Sequence, residues 1–356
     1  MKIKQYGKHS ASFINQKKSF FEDNDTYMEM QKSISSAYKK QPARLQCKNC
    51  EQTLKEEHDI ILDEIPYKIC NVCTHLNGAY EDTDEFCRLI YTTDGGSDNK
   101  NYVQQYREDN IQSFNSRLSS IYTPKAEYLY TSLVNDGVDP HQMEYLDFGS
   151  GSGYFVGALN NIGLNNINGT DVSISQVDFG NKMLGSNFLS LHDINDTNKI
   201  LRETKADVVS LIGVLEGLQD PRSALESIRN NDHIQYIFIL VPLFSISVFL
   251  NVMSKNVYQR QLSGGHTHLY TEKSIKYFAD EFNFEILSEW WFGTDMVDLF
   301  RHIFVNIESA KCSEDLVDSF KEMIIPVIDS MQLELDKKHK SSELHFLLKK
   351  KVNHGK

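Results

Sequence analysis

The stretch Glu144–Gly153 reads EYLDFGSGSG: a short apolar strand carrying Asp147, then glycines at every second position, Gly149, Gly151 and Gly153. Glycines directly after a strand let the backbone turn sharply at its carboxyl end and approach a ligand closely. A dinucleotide fingerprint of the G-x-G-x-x-G type would need a glycine at 154, but that position is Tyr154. The spacing is instead G-x-G-x-G, with an Asp two residues before the first glycine. Downstream, further strand-like segments alternate with helical ones: NNINGTDV (165–172), ADVVSLIG (206–213), YIFILV (236–241) and FEILSEWWF (284–292). Such alternation predicts an α/β fold with a doubly wound, Rossmann-like sheet whose ligands bind at the carboxyl rim of the strands.

Upstream lies a second signal. Cys47-Lys-Asn-Cys50 and Cys70-Asn-Val-Cys73 give C-x2-C-x19-C-x2-C, two knuckles able to offer four thiolates to one tetrahedral, structural Zn²⁺. The spacer, with strand-like HDIIL and Pro66, is expected to fold back as a hairpin turning at the proline. Cys87 and His75 are spare ligand types, and Cys312 is isolated. The boundaries drawn from composition are a polar N-terminal extension (1–43), a zinc module (44–80), a helical linker or cap (81–137), the sheet domain (138–308) and a helical C-terminal tail (309–356), Lys-rich after Asp336.

With 37 Lys and Arg against 49 Asp and Glu the net charge is −12, a poor balance for tracking nucleic-acid phosphates. The N-terminus lacks the apolar core of a secretory signal and the arginines of a mitochondrial one, and paired cysteines suit a reducing compartment. A cytoplasmic protein is expected. The apolar run 236–253 contains Pro242, Ser245, Ser247 and Asn251 and reads as a buried strand ended by the proline, not a membrane span.

Taken together, the glycine loop and the acidic residues that follow it resemble the S-adenosylmethionine (SAM) site of class I methyltransferases. The resemblance implies that Asp147, Gly149, Gly151 and Gly153 form the cofactor loop. It implies further that Asp171 meets the ribose hydroxyls, that Asp193 accepts from the adenine amine, and that Glu216, in the segment after the fourth strand, also belongs to the cofactor site. There Asp220-Pro221 matches as well, but Gly217 stands where a His is common. A zinc knuckle pair before such a domain, with GGHTHLYTEKSI at 264–275, is similar to bacterial methyltransferases of nucleotide-linked sugars. The nearest are the sugar C-methyltransferases, whose His-Glu-His motif here reads His266-Thr267-His268.

Methyl transfer needs an aligned nucleophile, exclusion of water and removal of a proton. The resemblance favours His268 as the base, with His266 and Tyr106 as further catalytic candidates. Tyr102 and Tyr106, four apart, share a helical face that would cover the methionine end of SAM. Trp290, Trp291 and Asp295 are candidates to line the acceptor pocket, and Arg301 to clamp a phosphate. Loss of the motif's Glu at Thr267 favours O- or N-methylation over C-methylation. The partners implied are a small polar acceptor, a sugar or nucleotide-sugar of surface-polysaccharide or secondary-metabolite assembly, with a homodimer left open. Two other readings are RNA methylation and a non-catalytic interaction protein; the acidic charge opposes the first and the intact glycines oppose the second.

Overall fold

From Tyr145 onward the strand and helix segments close into one sheet, seen in a computed structural model that describes residues 3–9, 24–92, 110–258, 260–262 and 265–351. Its strands are β5 (Tyr145–Phe148), β6 (Ile167–Asp171), β7 (Leu189–Leu191), β8 (Val208–Ile212), β9 (Tyr236–Pro242), β11 (Phe284–Phe292) and β12 (Glu343–Lys350), with β1 (Ile3–Tyr6) on one edge. The order is β1-β11-β12-β9-β8-β5-β6-β7. Strands β5 to β9 run parallel, and β12 lies antiparallel between β9 and β11. The chain steps from β5 out to β7, then returns to β8 on the other side of β5. That reversal opens a crevice at the carboxyl ends of β5 and β8.

Both faces of the sheet are covered, so its strands are apolar throughout and not alternating. One face packs Tyr145, Phe238, Trp290 and Leu347 against Leu129 and Phe155. The other packs Leu146, Ile237, Trp291 and Phe346 against Leu225 and Phe278. Helix starts follow local chemistry. The helix Pro221–Asn230 has its proline in the first turn and Asp220 accepting from the Ser223 amide, and Thr271 with Ser274 forms a capping box at Glu272–Glu281.

Two expected boundaries are corrected. The tail from 309 is helical over Glu314–Ile324 and Ile328–Lys337 but ends in β12, at the heart of the sheet. The sheet domain therefore does not stop at 308. Lysines flanking a buried-on-both-faces LHFLL run gave no period-2 pattern, and the run's strand partners lie about 60 and 110 residues away in the chain. The residues from 1 to 43 likewise contribute β1, parallel to β11, as well as a helix at Asn24–Tyr38. Phe346→Ala, at a site with no exposure, is expected to destabilise the fold by about 3–5 kcal/mol, readable as a lower urea midpoint at unchanged slope.

A second sheet, of order β10-β4-β3-β2, is formed by β2 (Ile60–Leu62), β3 (Ile65–Ile69), β4 (Leu76–Gly78) and β10 (His268–Leu269). The hairpin is present, but its turn is Asp63-Glu64, both with positive φ (47° and 63°), and Pro66 sits within β3 opposite Ile61. The run 236–253 is β9 followed by the short helix Ile246–Met253. Among the described residues no helix is long and apolar enough to cross a membrane.

Candidate functional site

The crevice at the strand ends is a cavity of about 510 Å³, within the range of small-molecule sites. Its floor is the glycine loop. Gly149, Gly151 and Gly153 all have positive φ (70°, 54° and 72°), and a side chain at Gly149 would strike Val214 at 2.5 Å. The Gly151 amide donates to Asp171 at 2.7 Å, and the Ser173 amide donates to the other carboxylate oxygen at 2.9 Å. Asp171, at the end of β6, therefore holds the loop's shape as well as facing the cavity. Burial raises its carboxyl above the ordinary value against those amide bonds. Asp147 accepts from the Ser210 hydroxyl at 2.6 Å, and burial pushes it up to about 7.

Of the acidic series, Asp193 stands apart. It caps Asn195, forms a bidentate pair with Arg88 (2.8 and 3.2 Å), and its side chain is about half exposed, outside the cavity wall. The Arg88 guanidinium holds it down at about 2. Its neighbour His192 lines the wall instead, with Nδ1 against the Thr170 hydroxyl at 2.8 Å and Nε2 lacking a hydrogen-bond partner among the described residues. In this placement Arg88 holds both carboxylate oxygens of Asp193, so the adenine contact expected of it would form beside that pair.

Across the cavity, Glu216 and His266 meet: Oε1 lies 3.7 Å from Nε2. The Gln261 carbonyl, 3.2 Å from Nδ1, can only accept, so Nδ1 carries the hydrogen and Nε2 presents its lone pair. Burial raises Glu216 to about 8 and lowers His266 to about 4. The second carboxylate oxygen of Glu216 has no hydrogen-bond partner among the described residues. Gly217 next door leaves room for Tyr91, whose hydroxyl would lie 2.7 Å from any Cβ there.

His268 is elsewhere. It has no exposure and lies outside the cavity, with Nδ1 2.7 Å from His75 Nε2 and its strand paired with β4. The expected base thus stitches the cysteine module to the main sheet: His268 lies in β10, paired with β4, whereas His266 lies ahead of that strand and reaches the cavity. Trp290 and Trp291 are buried on opposite faces of the sheet, and Asp295 accepts from Ser245 (2.5 Å) and Ser247 (2.9 Å) in a buried network. The next residues, Phe292 to Thr294, line the cavity in place of the tryptophans. Arg301 is buried against Asp298 at 3.5 Å and Tyr258, so it clamps nothing in the cavity. Tyr102 and Tyr106 lie outside the described residues.

The four cysteine sulfurs of the N-terminal module all lie within 4.8 Å of one another and are buried. The knuckles are built alike. The amides of Glu51 and Thr74 bond back to Cys47 and Cys70, and both residues have positive φ (57° and 62°). Tetrahedral zinc at about 2.3 Å from each sulfur would put the sulfurs near 3.8 Å apart. The Cys47–Cys73 and Cys50–Cys70 separations of 3.6 and 3.5 Å fit that geometry. Cys87 is buried outside the cluster.

Residues 121–289 match the family model described as a methyltransferase domain. That span holds the glycine loop and strands β5 to β9, and the match supports a methyltransferase domain over this part of the chain. The matched span leaves out the cysteine module, β1 and β12. Among solved structures, the chain is similar to a SAM-dependent methyltransferase from Archaeoglobus fulgidus at 17% identity, covering 68% of this chain and all of that one, with a TM-score of 0.39. It is also similar to geranyl diphosphate C-methyltransferase from Streptomyces coelicolor at 11% identity, over 69% and 85% of the two chains, with a TM-score of 0.42. No curated protein matches the sequence.

Proposed function

We propose that the chain methylates a small polar acceptor, a sugar or nucleotide-linked sugar, at a hydroxyl or amine, in surface-polysaccharide or secondary-metabolite assembly. The observation that carries this reading is the Glu216–His266 pair on the wall of the same cavity as the glycine loop. SAM supplies an electrophilic methyl group when bound. Asp171 would accept from its ribose hydroxyls, the loop amides from Gly149 to Gly153 would border its methionine end, and His192, on the same wall, would border the adenine. His266 Nε2 would receive the acceptor's proton, and Glu216 would stabilise the imidazolium that forms.

Glu216 supplies a carboxylate beside His266, so the loss of the motif's Glu at Thr267 no longer argues against carbon. The preference for a hydroxyl or amine rests instead on base strength. An imidazole that burial holds at about 4 suits an acceptor that sheds its proton as the methyl arrives, not one that must first ionise at carbon. The four thiolates would hold one structural zinc, a closed site with no catalytic position, and such a module suits the reducing cytoplasm. Asp171→Ala is expected to weaken SAM binding by about 1.5–3 kcal/mol through loss of charge-assisted contacts. Calorimetry with SAM and its demethylated product tests this: undiminished affinity would remove Asp171 from the site, and no heat with the wild type would sink the reading. A screen of nucleotide sugars, with the methyl located by NMR, tests the acceptor.

A further inference from the structure

Three cations, Lys8, Arg117 and Lys125, line the cavity. Arg117, Tyr122 and Lys125 reach it from one continuous helical run, Ile111–Asn135, interrupted by a π-turn at Leu118–Tyr122. Such turns insert a residue and swing the following side chains to a new face, and they recur at functional sites. Tyr122 and Tyr154 stack at 5.2 Å; the Lys125 ammonium lies 4.6 Å over the first ring and the Arg117 guanidinium 5.3 Å over the second. Lys8 arrives from the other side. The Trp290 indole donates to the Gly7 carbonyl at 2.8 Å, which fixes the turn after β1 and sets the Lys8 ammonium 5.1 Å over Phe292.

Lys125 is only 6% exposed and lines the cavity. Among the described residues it has no carboxylate within ion-pair distance. The acidic charge that acts on it most strongly is Glu343, and Arg260 already holds that group at 3.2 Å. Burying an ammonium without a counter-charge is costly unless something else supplies the charge.

We propose that Lys8, Arg117 and Lys125 form a binding site for an oxyanion group, phosphate or carboxylate, carried by the methyl acceptor. The proposal rests on the reading of this cavity as the methyl-transfer site. Its charge logic is simple. Lys8 and Lys125, neither with a carboxylate within ion-pair distance among the described residues, converge with Arg117 beside a site whose cofactor is itself a sulfonium, so an anionic acceptor adds counter-charge that a neutral one does not. Burial, with the neighbouring cations adding to it, brings the Lys8 ammonium down to about 7, and burial brings Lys125 to about 8. The charged groups facing the two lysines are each other, Arg117, Glu343 and, for Lys125, Asp147, with His345 packed close by. An oxyanion would raise both lysines, so binding takes up protons near pH 8 and weakens as pH rises from 7 to 9.

The test is calorimetry on the full chain saturated with S-adenosylhomocysteine, with inorganic diphosphate, inorganic phosphate and acetate as probes at about 150 mM chloride. One site per chain is expected for at least one probe. Tighter diphosphate or phosphate binding would mark a phosphorylated acceptor, and tighter acetate binding a carboxylated one. Lys125→Met and Lys8→Met should each lower that affinity about tenfold or more and leave the S-adenosylhomocysteine affinity unchanged, which also reports an intact fold. Lys8 sits in a half-buried turn outside the helices and strands, so its variant stays informative if the Lys125 variant folds poorly. Two results would overturn the proposal: no saturable binding of any probe by protein that binds S-adenosylhomocysteine, or equal binding by both variants, which marks an adventitious ion only. Failure to bind S-adenosylhomocysteine would instead strike the parent reading.

Discussion

Glu216→Gln should lower kcat by about 10²–10⁴ while leaving SAM affinity nearly intact, because a group that steadies the imidazolium acts in the transition state and not on the bound cofactor. The pH profile is the sharper readout. Burial raises Glu216 to about 8, and its ionised form is the one that stabilises a protonated His266. The rate should therefore climb as pH rises through about 8, not through the ordinary histidine value near 6.5. The glutamine variant should lose that limb, since it has nothing to ionise there. His266→Ala should cost a similar factor. His268→Ala should show lower stability with the limb retained, because His268 packs against His75 and touches no part of the cavity. A wild-type limb near 6.5 that disappears in His268→Ala would return the base role to His268 and overturn the pairing.

Removing the metal should have the second large effect. Protein made with ample zinc is expected to carry one ion per chain, and Cys73→Ser to carry less than one. Structural zinc in small modules contributes on the order of 10 kcal/mol of apparent folding energy near pH 7. The loss should spread beyond the module. Arg222 of the sheet domain donates to the Asn49 carbonyl at 2.8 Å, Asn49 donates to the Ser274 carbonyl at 3.1 Å, and β4 pairs with β10. A strong chelator should lower the unfolding temperature of the whole chain and alter SAM affinity little below that transition. Metal analysis finding no zinc, with the same unfolding temperature before and after chelation, would refute the four-thiolate site.

The parts of the site legible in the sequence are those made by neighbours in the chain. EYLDFGSGSG states its turn because only glycine adopts those φ values cheaply, and C-x2-C brings two sulfurs together within one tight turn. Asp171 was placed by strand spacing, and the structure sets it beside the loop. Placement departs from expectation at two points. Asp193 and His192 are adjacent in an extended stretch and so face opposite sides, while His266 and His268 are two apart and are separated because only His268 enters β10 and pairs with β4. Sequence spacing alone does not state the phase. A signal did exist for Asp193, whose neighbour His192 follows the third strand directly, but Arg88, which takes the carboxylate, comes from a helix 105 residues earlier.

Local chemistry thus determined that an α/β sheet would carry a glycine-loop ligand site and that two cysteine knuckles would converge, because both follow from backbone preference and short-range spacing. Long-range pairing decided the rest. The insertion of β12 between β9 and β11, the addition of β1 at the edge, and the meeting of Lys8, Arg117 and Lys125 in one cavity join segments from about 60 to nearly 300 residues apart. No residue in those segments encodes its partner locally. They come together because the apolar faces of β12 and β11 have no other way to leave water, and the charged side chains are carried to the cavity with them.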